Sequence, residues 1–209
     1  MKVYDAPSIR NIALVGHGGC GKTSLASAML FDMGALNRLG RVDDGTAPTD
    51  FDADEIERKI SLQTGLAHGE WRKTKINLLD TPGYANFLAE ARSALRVADA
   101  ALVVVDAVAG VEVQTEKVWA YAEEYNLPRI IVVNRVDRDR ASFARTLESL
   151  ERAFGRGVVP VAIPLGEEKG FVGVADLLAN RADVYADDQS GKFQQVDVPE
   201  ETKSAASAA

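Results

Sequence analysis

The chain has 209 residues, a length that fits one domain with a short appended piece. Its formal net charge of −7 argues against strong nucleic-acid binding by this piece alone, because gripping a phosphate backbone needs clustered lysine and arginine. The single cysteine, Cys20, excludes an internal disulfide, and the lack of a long apolar run or a secretion signal predicts a cytoplasmic protein with no membrane partner.

Strand-like apolar runs alternate with helical patterns along the first 165 residues. Strands are predicted at 11–16, 75–80, 100–106, 129–134 and 158–165, and helices at 22–33, 84–97, 113–125 and 142–154. This alternation predicts an α/β fold with a mostly parallel sheet flanked by helices. Within the third helix, Trp119 is predicted to be a partly buried residue that packs against the rest of the domain.

The first predicted strand is followed by a glycine-rich loop, residues 16–23. Gly16 and Gly21 allow positive φ, so that successive amide groups can approach an anion. Lys22 adds a positive charge for the outer phosphates, and the Thr23 hydroxyl is placed to bind Mg²⁺. The motif predicts a P-loop NTPase whose phosphate site contains Gly16, His17, Gly18, Gly19, Cys20, Gly21, Lys22, Thr23 and Ser24.

An irregular acidic segment, residues 34–59, follows the first helix. Long irregular segments inside compact domains are usually functional or mobile. Its place after the phosphate loop favours a segment that becomes ordered when nucleotide and Mg²⁺ bind. A solvated acidic loop remains the alternative.

A second motif, Asp80-Thr81-Pro82-Gly83, follows the strand predicted at 75–80. Asp80 is then expected at the carboxyl edge of the sheet, where it could hold Mg²⁺ through water. The Gly83 amide could donate a hydrogen bond to the γ-phosphate. Both residues are therefore predicted to belong to the nucleotide site.

A third motif, Asn134-Arg135-Val136-Asp137, follows the strand predicted at 129–134. The Asp137 carboxylate can accept hydrogen bonds from N1 and the exocyclic N2 of guanine, which adenine does not offer in that arrangement. The aliphatic stem of Arg135 is expected to cover the face of the base. Asn134, Arg135 and Asp137 are thus predicted to select guanine, although an ordinary turn is the alternative for an isolated motif.

Taken in order, these motifs resemble the GTPase domain of bacterial elongation factor G, a translational GTPase. The likeness is greatest to the elongation factor G-like paralogues and extends from about residue 8 to residue 201. It also includes Arg58-Lys59-Ile60-Ser61, the segment 111–119 and the segment 125–129. The resemblance implies GTP or GDP with Mg²⁺ as ligands, GTP hydrolysis, the ribosome as partner and a monomeric chain.

The resemblance also assigns roles to individual residues. Ser61 aligns with the family's switch threonine, so the expected metal ligands are Thr23, Ser61 and Asp80. Tyr84 aligns with the family's catalytic histidine, so the expected catalytic residues are Tyr84, Lys22 and Gly83. A tyrosine can orient water through its hydroxyl but cannot become an imidazolium at neutral pH.

The sequence changes character after residue 165. Short strand-like pieces at 171–174, 182–185 and 193–198 are separated by polar turns, and residues 202–209 are small and expected to fray. The resemblance implies that residues 1–165 are a GTPase domain without its last strand and helix. Residues 166–209 are then expected to be part of an inserted subdomain.

Three functions remain open at this point. The first is a GTP-hydrolysing domain that serves translation elongation or ribosome disassembly. The second is a GTP-binding switch module with negligible hydrolysis, favoured by Tyr84. The third is an ATP-using phosphotransferase, which Asn134 and Asp137 disfavour.

Overall fold

The computed structural model of the chain describes residues 2–186 and 192–199. Its contacts define two compact units, Met1–Val105 with Glu112–Asn134 and Asp106–Val111 with Arg135–Ala209. The domain boundary expected between residues 165 and 166 stays a prediction, and the tail expected to fray lies outside the described residues. Across the described ranges, every helix is too short or too polar to span a bilayer.

The first unit is built on a five-stranded, mostly parallel sheet flanked by helices. Its strands are β1 (Ile9–Val15), β2 (Gly65–Trp71), β3 (Thr74–Asp80), β4 (Ala100–Asp106) and β5 (Arg129–Asn134), and its helices are α1 (Lys22–Asp32), α2 (Ala53–Arg58), α3 (Leu88–Val97) and α4 (Val113–Glu124). The strand order is β2-β3-β1-β4-β5, with β1 parallel to both β3 and β4 and β2 antiparallel to β3. The predicted α/β fold class is confirmed.

The position of β1 follows from its apolar sequence. Three consecutive residues, Ala13, Leu14 and Val15, are fully buried, as expected for a central parallel strand that is covered on both faces. On one face, Leu14 packs with Leu30 of α1 and Leu78 of β3. The chain therefore emerges from the middle of the sheet at the start of the phosphate loop.

Two elements of this unit were not predicted. Strand β2 has the sequence Gly-Leu-Ala-His-Gly-Glu-Trp, in which glycine, alanine and glutamate have weak strand propensity. Helix α2 lies inside the acidic segment that was expected to be irregular. It begins at a capping box in which the Asp52 side chain accepts from the Asp54 amide and Glu55 accepts from the Asp52 amide.

The second unit contains a helix and an antiparallel sheet. Helix α5 (Phe143–Phe154) precedes β6 (Ala162–Leu165), β7 (Gly173–Asp176), β8 (Arg181–Tyr185) and β9 (Phe193–Asp197). The four strands pair in sequence order, around a small core of Ile163, Ala175, Ala182 and Val198.

The expectation that residues 158–165 form a strand of the parallel sheet is wrong. Strand β6 pairs antiparallel with β7 instead. Only seven residues, 166–172, connect the two strands, and a parallel neighbour needs a crossover of about a dozen residues or more. Gly166 has a φ of 78° at the start of this connection, which favours glycine.

Candidate nucleotide-binding site

The phosphate loop joins the end of β1 to the start of α1. Gly16, Gly19 and Gly21 have φ values of 146°, 77° and 96°, in the region that favours glycine. A Cβ on Gly16 would also contact the carbonyl oxygen of Val104. The loop leads into the N-terminus of a helix, where unpaired amide groups and the positive end of the helix dipole attract anions.

Lys22 and Gly83 both pack against this loop. The Lys22 ammonium is buried and donates hydrogen bonds to the carbonyl oxygens of His17, at 2.8 Å, and Gly16, at 3.2 Å. A Cβ on Gly83 would lie 2.5 Å from the carbonyl carbon of His17 and would contact the Lys22 nitrogen. The backbone after β3 can therefore approach the phosphate loop because residue 83 has no side chain.

Two hydroxyl groups meet beside the loop. The Thr23 Oγ1 and Ser61 Oγ atoms are 3.1 Å apart, and the Ser61 hydroxyl donates a 2.7 Å hydrogen bond to Oδ1 of Asp50. Thr23 lies in the first turn of α1, whereas Ser61 comes from the segment that follows α2. The structure thus brings together two of the three residues predicted to bind metal.

The third predicted metal ligand, Asp80, is fully buried at the end of β3. Its Oδ2 atom accepts a 2.7 Å hydrogen bond from the Thr49 hydroxyl, while its Oδ1 atom has no hydrogen-bond partner among the residues the structure describes. Burial raises the pKa of Asp80 from 3.8 to about 6, against the lowering effects of the Thr49 and Thr23 hydroxyls and the Lys22 charge. A buried carboxylate oxygen without a donor suits a cation.

These residues fit Mg²⁺. Within the described ranges, no group of three or more His, Cys, Asp or Glu side chains could hold a metal ion. Mg²⁺ does not need such a cage, because it commonly binds one or two carboxylates together with phosphate oxygens and water. The hydroxyls of Thr23 and Ser61 and the Oδ1 atom of Asp80 supply the hard oxygen donors that this ion prefers.

Tyr84 lies over the phosphate loop. A Cβ on Gly18 would come within 3.0 Å of the Tyr84 ring, so the ring packs on the Gly18 backbone. The side chain nevertheless remains 45% exposed. The predicted catalytic position is therefore next to the loop, and its side chain is partly exposed.

The strand end expected to select the base is tied to the phosphate loop. The side-chain Nδ2 atom of Asn134 donates a 2.8 Å hydrogen bond to the backbone carbonyl oxygen of Cys20. In the second unit, the Arg135 guanidinium forms an ion pair with Asp106 at 2.9 Å, and Asp137 lies exposed in a turn. The contacts of Arg135 and Asp137 with a base stay predictions.

The remaining loop residues differ in their surroundings. His17 is buried, with Nδ1 3.3 Å from the Thr115 hydroxyl, and Cys20 is also buried. Ser24 lies on the exposed side of α1. Of these side chains, Ser24 is thus the accessible one.

Glu55 is a second buried carboxylate that sequence reasoning missed. It is 1% exposed and accepts hydrogen bonds from the backbone amides of Leu62 at 2.8 Å, Gln63 at 3.1 Å and Asp52 at 3.2 Å. These contacts fold residues 52–63 around the side chain and hold Ser61 near Thr23. The capping-box spacing from Asp52 to Glu55 was the available signal.

Comparison with known proteins agrees with this geometry. The elongation factor Tu GTP-binding domain family matches residues 7–205. Elongation factor G of Thermotoga neapolitana is 39% identical over 202 residues, which are 97% of this chain and 29% of that protein. Elongation factor G of Thermotoga maritima is 38% identical over the same shares.

A solved structure shows the same fold. A crystal structure of a Thermus thermophilus protein has a TM-score of 0.88 and 39% identity, over 96% of this chain and 30% of that one. The chain thus spans about three tenths of the length of its curated relatives. It belongs to the elongation factor Tu GTP-binding domain family, as an elongation factor G-like GTP-binding domain.

Proposed function

We propose that the chain binds GTP with Mg²⁺ and hydrolyses it to GDP and phosphate. It would do so as the GTPase domain of an elongation factor G-like factor that works with the ribosome in translation elongation or ribosome disassembly. The observation that carries this proposal is the buried Oδ1 of Asp80, which has no hydrogen-bond partner in the described part of the chain and belongs to the same unit as the Thr23–Ser61 hydroxyl pair and the phosphate loop.

Each part of the phosphate chain has a partner in this proposal. The loop amides and Lys22 hold the β- and γ-phosphates, and the Gly83 amide donates to the γ-phosphate. Thr23 and Ser61 hold Mg²⁺ directly, while Asp80 holds it through water. When bound, the ion neutralises charge on the phosphate oxygens.

Base selection is assigned to the motif after β5. Asn134 is already fixed on the phosphate loop through Cys20. The Asp137 carboxylate accepts the N1 and N2 protons of guanine, which makes guanine preferred over adenine. Arg135 covers the base with the methylene stem of its side chain.

Hydrolysis requires little covalent chemistry from the protein. Positioning and charge stabilisation provide most of the rate in phosphoryl transfer. Tyr84 lies next to Gly18, where its hydroxyl can orient the attacking water. Loss of the γ-phosphate then releases the segment that carries Ser61, which is how such switches report hydrolysis.

The proposal is tested by measuring guanine-nucleotide binding and phosphate release on this chain. Binding of GTP and GDP that depends on Mg²⁺, with phosphate release that ribosomes increase in the full-length factor, is the expected result. No binding of either nucleotide would overturn the proposal. Binding without turnover in a full-length version would remove only the enzyme claim.

One observation favours a switch module with negligible hydrolysis as a second candidate. The side chain over Gly18 is a phenol, which cannot carry positive charge near the attacking water. Tyr84→His decides between the two. A large gain in turnover supports the switch module, whereas an unchanged rate means that Tyr84 already fills the family role.

A further inference from the structure

Thr49 belongs to the acidic segment, yet its side chain is buried. It is 3% exposed, and its hydroxyl donates the 2.7 Å hydrogen bond to Oδ2 of Asp80. The position depends on Gly65, which is the register partner of Asp80 in the β2–β3 pair. A Cβ on Gly65 would lie 2.6 Å from the Thr49 carbonyl oxygen, so Thr49 occupies the space that a side chain would fill.

This hydrogen bond gives the two oxygens of the Asp80 carboxylate different surroundings. Oδ2 has a donor, whereas Oδ1 has none among the described residues. A carboxylate can turn about its Cβ–Cγ bond, and in a buried site the donor that holds one oxygen sets where the other oxygen faces. The Thr23 hydroxyl also favours the charged carboxylate, but the direct hydrogen bond to Oδ2 comes from Thr49. Thr49 therefore determines the orientation in which Oδ1 is left for another partner.

The next residue, Asp50, contacts a different group of the same site. Asp50 is also buried and accepts the hydrogen bond from Ser61, which lies 3.1 Å from Thr23. Two consecutive residues thus contact the carboxylate and the hydroxyl that are assigned to Mg²⁺. Segment 49–50 connects these two groups, although no sequence motif marks it.

We propose that Thr49 is a positioning residue for the cation site, holding the Asp80 carboxylate so that Oδ1 faces the metal-bound water. The proposal deepens the proposed function and rests on it. Groups that orient a metal ligand typically contribute about 10- to 100-fold in metal affinity, even though they do not touch the ion. Thr49 does this with one hydroxyl and with no charge of its own.

The test is the Mg²⁺ concentration at which a fluorescent GDP analogue is half-bound, titrated with MgCl₂ on the 209-residue chain. Thr49→Val keeps the shape of the side chain and removes the donor, and we expect the midpoint to rise about tenfold. Thr49→Ser retains the hydroxyl and should restore the wild-type midpoint. Nucleotide affinity in excess EDTA should stay the same in all three proteins.

Gly65→Ala tests the same geometry with the Thr49 hydroxyl intact. The added methyl group displaces the Thr49 backbone, so the midpoint should again rise. Thermal melting of each variant in EDTA identifies any loss of fold. If Thr49→Val does not fold, the Mg²⁺ midpoint of Gly65→Ala tests the role of Thr49. An unchanged Mg²⁺ midpoint in both folded variants would overturn the role of Thr49.

The failure of this inference is distinguishable from failure of the proposed function. If the wild-type chain binds no GDP analogue at any MgCl₂ concentration, the proposed function fails and the role of Thr49 falls with it. If the wild-type chain binds in a Mg²⁺-dependent way and Thr49→Val behaves identically, only the role of Thr49 is wrong. An equal loss in Thr49→Val and Thr49→Ser would also contradict it, because serine keeps the donor.

Discussion

Replacing Asp80 with asparagine should stabilise the metal-free chain at neutral pH. Asp80 is fully buried and one of its oxygens lacks a donor among the described residues, so its ionised form is unfavourable in the absence of a cation. Asparagine has a similar shape and cannot ionise. The same substitution should weaken Mg²⁺-dependent nucleotide binding, so stability and function change in opposite directions.

The size of the effect follows from the pKa of Asp80. The folded-state pKa is about 6 against 3.8 for the ordinary group, and the difference, 6 minus 3.8, corresponds to about 3 kcal/mol at 1.36 kcal/mol per pKa unit. Because the folded state binds this proton more tightly, the free energy of unfolding falls as the pH rises from about 4 to about 6. Above that range the destabilisation is complete.

Chemical denaturation in EDTA at pH 5 and pH 7.5 measures this contribution. Between these pH values, wild type should lose about 1 kcal/mol of stability that Asp80→Asn does not lose. Asp44→Asn is the matched control, because it makes the same chemical change at an exposed position. If Asp80→Asn shows the same pH dependence as wild type and Asp44→Asn, burial does not disfavour the Asp80 charge and the reasoning fails.

Tyr84→His should change GTP turnover, because the side chain over Gly18 is the one proposed to orient the attacking water. Phosphate release, with Tyr84→Phe as control, checks this. An equal effect of both substitutions would trace the change to the lost phenol hydroxyl and would contradict a specific effect of the imidazole at this position. Glu55→Gln should speed amide exchange at Leu62 and Gln63 by about tenfold, because one charged acceptor is lost. Unchanged exchange would mean that Glu55 does not hold this segment. Asp137→Asn should lower GDP affinity by roughly 100-fold or more and favour xanthosine diphosphate, which has an oxygen acceptor in place of the guanine amino group. Calorimetry with both nucleotides measures this, and an unchanged preference would remove the assignment of Asp137.

The sequence predicted those elements whose signals are local. Strands β4 and β5 have the bounds expected from their apolar runs, and α1 starts at Lys22 as predicted. Helix α3 begins at Leu88 rather than at Tyr84, because Tyr84 has extended backbone angles and residues 85–87 form a short 3₁₀ turn. Such a boundary depends on how the chain leaves the phosphate loop, which hydrophobic periodicity does not report.

The parts that could not be predicted depend on partners distant in sequence. Thr49 gains its role from Asp80, 31 residues later in the chain, and from the missing side chain of Gly65. Neither residue forms a pattern with Thr49 that a window of sequence would reveal. The pairing of β6 has a related cause. Its apolar composition suits either kind of sheet, whereas the short connection 166–172 favours an antiparallel neighbour.

Titration calorimetry of the chain with GDP and ADP, each with and without MgCl₂, tests the central claim most directly. The account predicts saturable heat with GDP in the presence of Mg²⁺, much weaker GDP binding in EDTA and no measurable heat with ADP. Equal binding of GDP and ADP would contradict the assignment of the base site. The absence of any heat with GDP would contradict the assignment of the phosphate loop itself.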